Sequence, residues 1–476
     1  PAHPGGRVAA GDRSRVARRR GRGGDGMIGR LPRVGTSVGI GAGALLSLAP
    51  GLLPRTAGAQ AILTGLLVAA ALAVAAGLGW ALRRAGFDTD RASARGRALV
   101  AAAVAVVVGL AAWRAGHWQN GLRAAMGTAP IDPGYWLRCG FGAVLVGGAL
   151  VGLGRGLRYS IRKLGRARVL AAGLVTGSAG WFVLVPGVAD WRMQTYAAAN
   201  AVLEPGLAPP VSIHSGSADS AVSWSTLGAQ GRRFVGGEAG GPIRVYVGID
   251  SAPDLDSRVA LAVRELERSG GFTRGNLVVA VPTGSGWIDA NAMDGFARRF
   301  GDDVAVLGLQ YSYTPSWVSF VFGRSQAVDA ARALFEAVER RVAGLPRPPR
   351  LFVYGQSLGA VGGSAIFADD ADQDRRTCAV LWAGPPANDA HRGGATILAN
   401  SSDPVVHWSP ALLWRAPDLT GVRRDAPVPG WLPLVSFVQT TADLLAALDA
   451  PPGHGHRYGA DQGTALGECA TTVDGR

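Results

Sequence analysis

Ser357 lies in the run Gly355-Gln356-Ser357-Leu358-Gly359, a G-x-S-x-G pattern between a short apolar run and an Ala/Gly-rich helical stretch. A serine in that strand–turn–helix context sits on a sharp turn. Small neighbours let the turn close, the hydroxyl is lifted above the sheet, and the first N–H groups of the helix lie beneath a developing oxyanion. The chemistry this suits is nucleophilic attack on a carbonyl. Gly355, Gln356 and Gly359 would build the turn, and Leu358 N–H would be one oxyanion donor. Such a serine needs a base, and the base needs a group to orient it. Asp403 follows an apolar run in Asn400-Ser401-Ser402-Asp403-Pro404, and His454 and His456 lie in Pro451-Pro452-Gly453-His454-Gly455-His456. The order Ser, Asp, His differs from that of the chymotrypsin and subtilisin triads. An Asp-Pro turn is the plainer reading of Asp403. Either histidine fits the base; His456 is preferred because His454 stands next to the proline turn. A His-x-His pair also suits a metal, but no carboxylate or cysteine cluster near it completes a site. No metal and no other cofactor is expected. The second oxyanion donor is expected in Thr283-Gly284-Ser285-Gly286-Trp287, at Gly284 or Ser285, where glycine lets a substrate approach the backbone. A plain glycine turn is the alternative.

These residues need a scaffold that ends several strands at one edge. The runs 243–249, 276–281, 303–309, 350–354, 378–383 and 395–399 are short and apolar and read as strands. Helical patterns at 255–268, 289–300, 325–343, 358–369 and 436–449 alternate with them. Strands alternating with crossover helices imply a mostly parallel sheet covered by helices on both faces. Residues 241–476 are the expected catalytic domain, and 191–240, with Pro205, Pro209 and Pro210, a linker and lead-in.

The preceding part of the chain has a different character. Five apolar runs, 34–53, 57–82, 97–116, 135–157 and 169–189, each approach the ~20 residues that a helix needs to cross a bilayer. Residues 34–190 therefore read as a transmembrane bundle of about five helices. Gly142, Gly147, Gly148, Gly152 and Gly154 would let such helices approach closely, although glycine is abundant throughout. No Asp or Glu lies within a run, which disfavours coupled transport. The net charge of +14 divides unevenly: residues 1–189 hold 24 Arg/Lys and 5 Asp/Glu (+19), and residues 190–476 hold 24 and 29 (−5). Positive charge concentrated between apolar runs is topological, and an acidic globular half repels phosphate, so nucleic acid is excluded as a partner. Arginine-dense loops alternate with sparse ones. With the dense loops cytoplasmic, the N-terminus is inside and residue 190 outside. Residues 1–33 form a basic Gly/Arg-rich tail expected to be disordered, with Met27 a plausible start and no cleavable signal peptide pattern. Of three cysteines, Cys139 reads as a small membrane residue. Cys378 and Cys469 either pair, if outside the cytoplasm, or are separate buried thiols.

Several segments resemble the actinobacterial membrane α/β-hydrolases, which join a multi-helix N-terminal domain to a catalytic one. They are APGLLPR (49–55), VSWSTLGAQGRRFV (222–235), PIRVYVGIDSA (242–252), VPTGSGWID (281–289), LQYSYTPSW (309–317), VYGQSLGA (353–360), SSDPVVHWSP (401–410) and PGHGHRYG (452–459). That family often carries Glu where this chain has Gln356. The resemblance implies an α/β-hydrolase fold and serine hydrolase chemistry without a settled substrate. Two activities fit the same acyl-enzyme: hydrolysis of an acyl ester, and acyl transfer to a sugar or glycerol hydroxyl. A non-enzymatic envelope scaffold is the third reading. A bilayer around the N-terminal half makes a lipid or cell-envelope ester the expected substrate, and a multi-pass membrane protein with its catalytic domain extracytoplasmic the expected arrangement.

Overall fold

The structure is a computed structural model and describes residues 32–87, 92–210, 213–236 and 241–469. Most of the basic tail, with Met27, lies outside the described residues. Among the described residues, four helices are long and apolar enough to cross a membrane: Ala57–Arg84, Ala94–Ala125, Tyr135–Leu164 and Arg166–Ala201. The first expected run is shorter than the other four. Its helix, Val34–Ser47, has 14 residues. At ~1.5 Å per residue it spans about 21 Å, less than the ~30 Å of a hydrocarbon core. Pro50 and Pro54 explain the early stop, because each lacks an N–H and clashes with the preceding turn.

The helices pack through small residues. A Cβ on Gly43 would fall 2.5 Å from Val68 Cα, one on Gly65 2.7 Å from Val146 Cβ, and one on Gly142 2.8 Å from Ala61 Cβ. These positions let helix backbones meet closely. A Cβ on Gly148, Gly152 or Gly154 would meet nothing within 4 Å among the described residues, so their smallness serves no packing there.

The C-terminal half is built on six parallel strands: β1 (Ile243–Val247), β2 (Asn276–Val281), β3 (Val304–Leu309), β4 (Arg350–Gln356), β5 (Ala379–Ala383) and β6 (Thr396–Leu398), in the spatial order β1-β3-β2-β4-β5-β6. Every residue of β2 and β3 is buried, which requires cover on both faces. The cover comes from amphipathic helices such as Leu255–Arg268, Ala290–Phe300 and Arg324–Ala343. Asp254 and Asp289 cap the first two through bonds to Ser257 N–H and Asn291 N–H. The helix after β4 ends at Ser364, earlier than the expected 369, because Gly362 and Gly363 weaken it. Both glycines are needed where they stand: a Cβ on Gly363 would fall 2.6 Å from the Trp382 ring. The lead-in segment closes the open edge of β1: Arg244 N–H donates to His214 Nδ1, and Tyr246 N–H to Ser215 Oγ.

The chain divides into two compact units, and they do not part at residue 190. One holds residues up to Ala49 together with Thr56–His117 and Asp132–Gly156; the other holds Pro50–Arg55, Trp118–Ile131 and Leu157–Arg476. Two short interhelical segments thus belong to the unit that carries the sheet. Leu52 and Leu53 are buried in it. Buried Asp443 accepts from Leu52 N–H (2.6 Å) and from Arg55 Nε and Nη2 (3.0 and 2.7 Å). Trp118 Nε1 donates to Gly51 O, and Arg55 N–H to Gln119 Oε1.

Candidate active site

Ser357 occupies the turn between β4 and the helix Leu358–Ser364, with φ 55° and ψ −122°. A positive φ at a residue with a side chain costs about 1–3 kcal/mol and persists only where its surroundings enforce it. Here they do. A Cβ on Gly355 would fall 2.3 Å from Gly359 O, and one on Gly359 2.2 Å from Val281 O. Ser357 N–H is held by Ala383 O, at the end of β5 (2.8 Å). Leu358 takes the first position of the helix, where an N–H has no acceptor within the helix itself.

Asp403 follows β6, caps the four-residue helix Pro404–His407 through Val405 N–H, and is fully buried. Its other oxygen, Oδ2, meets His456 Nδ1 at 2.7 Å and accepts from Tyr458 Oη at 2.6 Å. Burial, with Asp403 beside it, pushes the Tyr458 phenol well above its ordinary range, so it remains a donor. With Nδ1 donating to Asp403, the lone pair of His456 is on Nε2. That nitrogen is buried and has no hydrogen-bond partner among the described residues. The ring lies near the end of β5: a Cβ on Gly384, the residue after the one that binds Ser357 N–H, would fall 2.8 Å from His456 Cε1. No hydrogen bond joins Ser357 Oγ to His456 among the described residues. Catalytic hydrogen bonds in ligand-free enzymes are often long and tighten when substrate binds.

His454 has a carboxylate of its own. Its Nδ1 lies 2.9 Å from Asp425 Oδ2, and Asp425 also accepts from Ser401 Oγ, Ser402 Oγ and Ser402 N–H. The candidate oxyanion loop, Thr283–Trp287, follows β2. Its internal bonds use Thr283 N–H, given to Trp287 O, and Gly286 N–H, given to Thr283 O. Gly284 and Ser285 N–H are not used by the turn's own bonds. The loop is held from below by Tyr246 Oη on Gly286 O and Gln310 Nε2 on Ser285 O. Position 284 admits only glycine, because a Cβ there would fall 2.5 Å from Ser319 Oγ.

Tyr458, Asp425, Ser402 and Gly384 did not stand out in the sequence. Tyr458 lies in the GHRYG run but has no spacing that marks it as a donor to Asp403. Asp425 sits in a polar loop with nothing to pair it with His454. Gln356 is buried, with Oε1 near Tyr354 Oη (3.4 Å). Cys378 and Cys469 are joined by a disulfide. A cavity of about 160 Å³ is lined by residues that include His407, Leu412, Trp431 and Thr440, and by neither Ser357 nor His456.

The chain matches the family described as "Alpha/beta-hydrolase family" over residues 243–396 and 392–472, and "Alpha/beta-hydrolase family N-terminus" over residues 48–242. A solved structure with similarity is "Trichoderma reesei cutinase in complex with a C11Y4 phosphonate inhibitor", 14% identical, covering 40% of this chain and 85% of that one, with a TM-score of 0.23. No curated protein matches.

Proposed function

The chain belongs to the alpha/beta-hydrolase family, and from that premise we propose that it is a membrane-anchored serine hydrolase acting on acyl esters. The observation that carries the reading is the buried His456 Nε2, left without a partner while Nδ1 is fixed by Asp403, beside the strand end that holds Ser357. In this reading Ser357 Oγ attacks the ester carbonyl as His456 Nε2 takes its proton. Asp403 stabilises the imidazolium through Nδ1 and does not itself take the proton. The oxyanion that forms is bound by Leu358 N–H and by Gly284 or Ser285 N–H. Collapse of the tetrahedral intermediate expels the alcohol, protonated by His456, and leaves the acyl group on Ser357. Water, activated by the same imidazole, then releases the acid.

The fold supports a location as well. Leu52 N–H and Arg55 are bound by Asp443 of the sheet-bearing half, and Trp118 and Gln119 bond to Gly51 and Arg55, so in this reading those interhelical segments and the catalytic residues share one side of the membrane. These are the arginine-poor connections, and Arg55 is neutralised by Asp443. The dense connections, around Arg83 to Arg97 and Arg155 to Arg168, fall on the opposite side, which is cytoplasmic by the positive-inside rule. The catalytic domain is then extracytoplasmic, where a lipid or envelope ester is the accessible substrate.

The test is to treat intact cells with a membrane-impermeant fluorophosphonate and identify the modified residue. Labelling at Ser357 without opening the cells supports both claims. Labelling only after permeabilisation reverses the orientation, and labelling at another serine removes the nucleophile assignment.

A further inference from the structure

Gly455 and His456 are held by one short segment through three bonds. Asn400 Nδ2 donates to Gly455 O (2.9 Å), Gly455 N–H donates to Ser402 Oγ (2.7 Å), and Asp403 Oδ2 holds His456 Nδ1 (2.7 Å). Two of these bonds depend on groups that can rotate. The Asn400 amide is set by Arg423, whose Nε and Nη2 donate to Asn400 Oδ1 at 3.2 and 2.7 Å. The Ser402 hydroxyl has one proton, and it is given to Asp425 Oδ2, so the lone pairs of Oγ are left for Gly455 N–H. Residues 423–425 run beside 399–401: Arg423 N–H donates to Ala399 O and Ser401 N–H to Arg423 O, both at 2.8 Å. Residues two apart along such an extended segment present side chains to the same face. Arg423 and Asp425 therefore act together, one on each rotatable group.

We propose that Asp425, closed by His454, is a positioning device for His456. It fixes the Ser402 rotor, Ser402 fixes the backbone of Gly455, and that backbone sets the pose of the adjacent imidazole against Asp403. The inference rests on the hydrolase reading above and gives the second histidine–carboxylate pair a role that is not proton transfer. Asp425 is suited to it. Its carboxylate is buried, and every donor it meets, Ser401 Oγ, Ser402 N–H, Ser402 Oγ and His454 Nδ1, comes from the two segments it joins. Only glycine fits at 455, where φ is 54° and a Cβ would fall 2.8 Å from Ala450 Cβ, and a residue with no side chain of its own to pack depends on the clamp to hold the next one in place.

The test uses the full chain in detergent with p-nitrophenyl butyrate as the probe ester. S402A, D425N and H454A are expected to lower kcat about 10- to 100-fold with KM within about threefold, since a misplacement near 1 Å costs on the order of 10² in rate. H454N should recover most of the loss, because its amide nitrogen takes the place of Nδ1 and donates to Asp425. Wild-type kcat in D425N and S402A would overturn the proposal. So would H454N as inactive as S357A, which would make His454 a proton carrier. Amide hydrogen exchange at Gly455 reads the clamp without turnover: protection in wild type and H454N, lost in S402A and D425N. Equal protection in D425N and wild type refutes the clamp, whereas absence of turnover and of Ser357 labelling in wild type refutes the hydrolase reading.

Discussion

Two histidines two residues apart each meet one carboxylate, His456 with Asp403 at 2.7 Å and His454 with Asp425 at 2.9 Å. By distance the pairs are equivalent. Their surroundings separate them. Asp403 is wholly buried and backed by the Tyr458 hydroxyl, and the other nitrogen of His456 is buried beside the strand end that binds Ser357. Asp425 shares its lone pairs among two serines and a backbone N–H, and the His454 side chain is 20% exposed. A histidine–carboxylate contact is therefore no evidence of a base by itself. What distinguishes a base is where the second ring nitrogen lies.

The largest test of that distinction is removal of the nucleophile or the base. S357A and H456A should each lower kcat by about 10⁴- to 10⁶-fold while leaving a residual rate above water, because oxyanion N–H groups and substrate binding persist. Steady-state turnover of the probe ester measures it, and an H456A enzyme within tenfold of wild type would exchange the roles of the two pairs. Next is D403N, expected to cost about 10⁴ in kcat, since an amide favours the wrong imidazole tautomer and cannot stabilise its charged form. D425N should be far milder, and equal losses at the two positions would erase the comparison. Y458F removes one donor from Asp403, a bond worth about 1 kcal/mol, and should lower kcat about three- to tenfold. An unchanged kcat would leave Tyr458 a packing residue.

The smallest effect concerns His407, a third histidine at the end of the helix that Asp403 caps. Burial lowers its pKa, opposed by Asp403, a Ser401 backbone bond and Asp425. The fold thus holds this ring neutral where the unfolded chain would take up a proton. Its contribution to stability is present above about pH 6.5 and is lost as the pH falls through the lower folded value. The apparent unfolding midpoint should decline on that acid side, and H407Q should flatten the decline. A profile unchanged by H407Q would assign the acid sensitivity elsewhere.

Much of the scaffold is legible in the sequence. All six strand runs form strands, because continuous apolar segments of five to seven residues between helical patterns have few other ways to bury both faces. The turn at Ser357 is legible too, since Gly355 and Gly359 leave no room for a Cβ. Three features were not. Pro50 and Pro54 mark a break in the first apolar run, yet nothing in Pro50–Arg55 shows that Asp443, 388 positions later, will bind it. Cys378 and Cys469 read equally as a pair or as two separate buried thiols, and only the fold joins them. And Asp425 carries no local pattern, as its donors come from segments 401–402 and 454.

Residue types and local spacing determined the apolar helices, the order of strands and helices along the chain, the serine turn and the small set of residues able to serve it. These depend on interactions within a few positions, where backbone sterics and hydrophobic period act. The carboxylate that each of His454 and His456 meets, the partner of Arg55, and the bonds that hold Gly455 are decided only by tertiary structure. Each depends on which distant side chains share a buried site, where an unpaired polar group is costly, so the partner of each is chosen by the surrounding fold rather than by its neighbours in sequence.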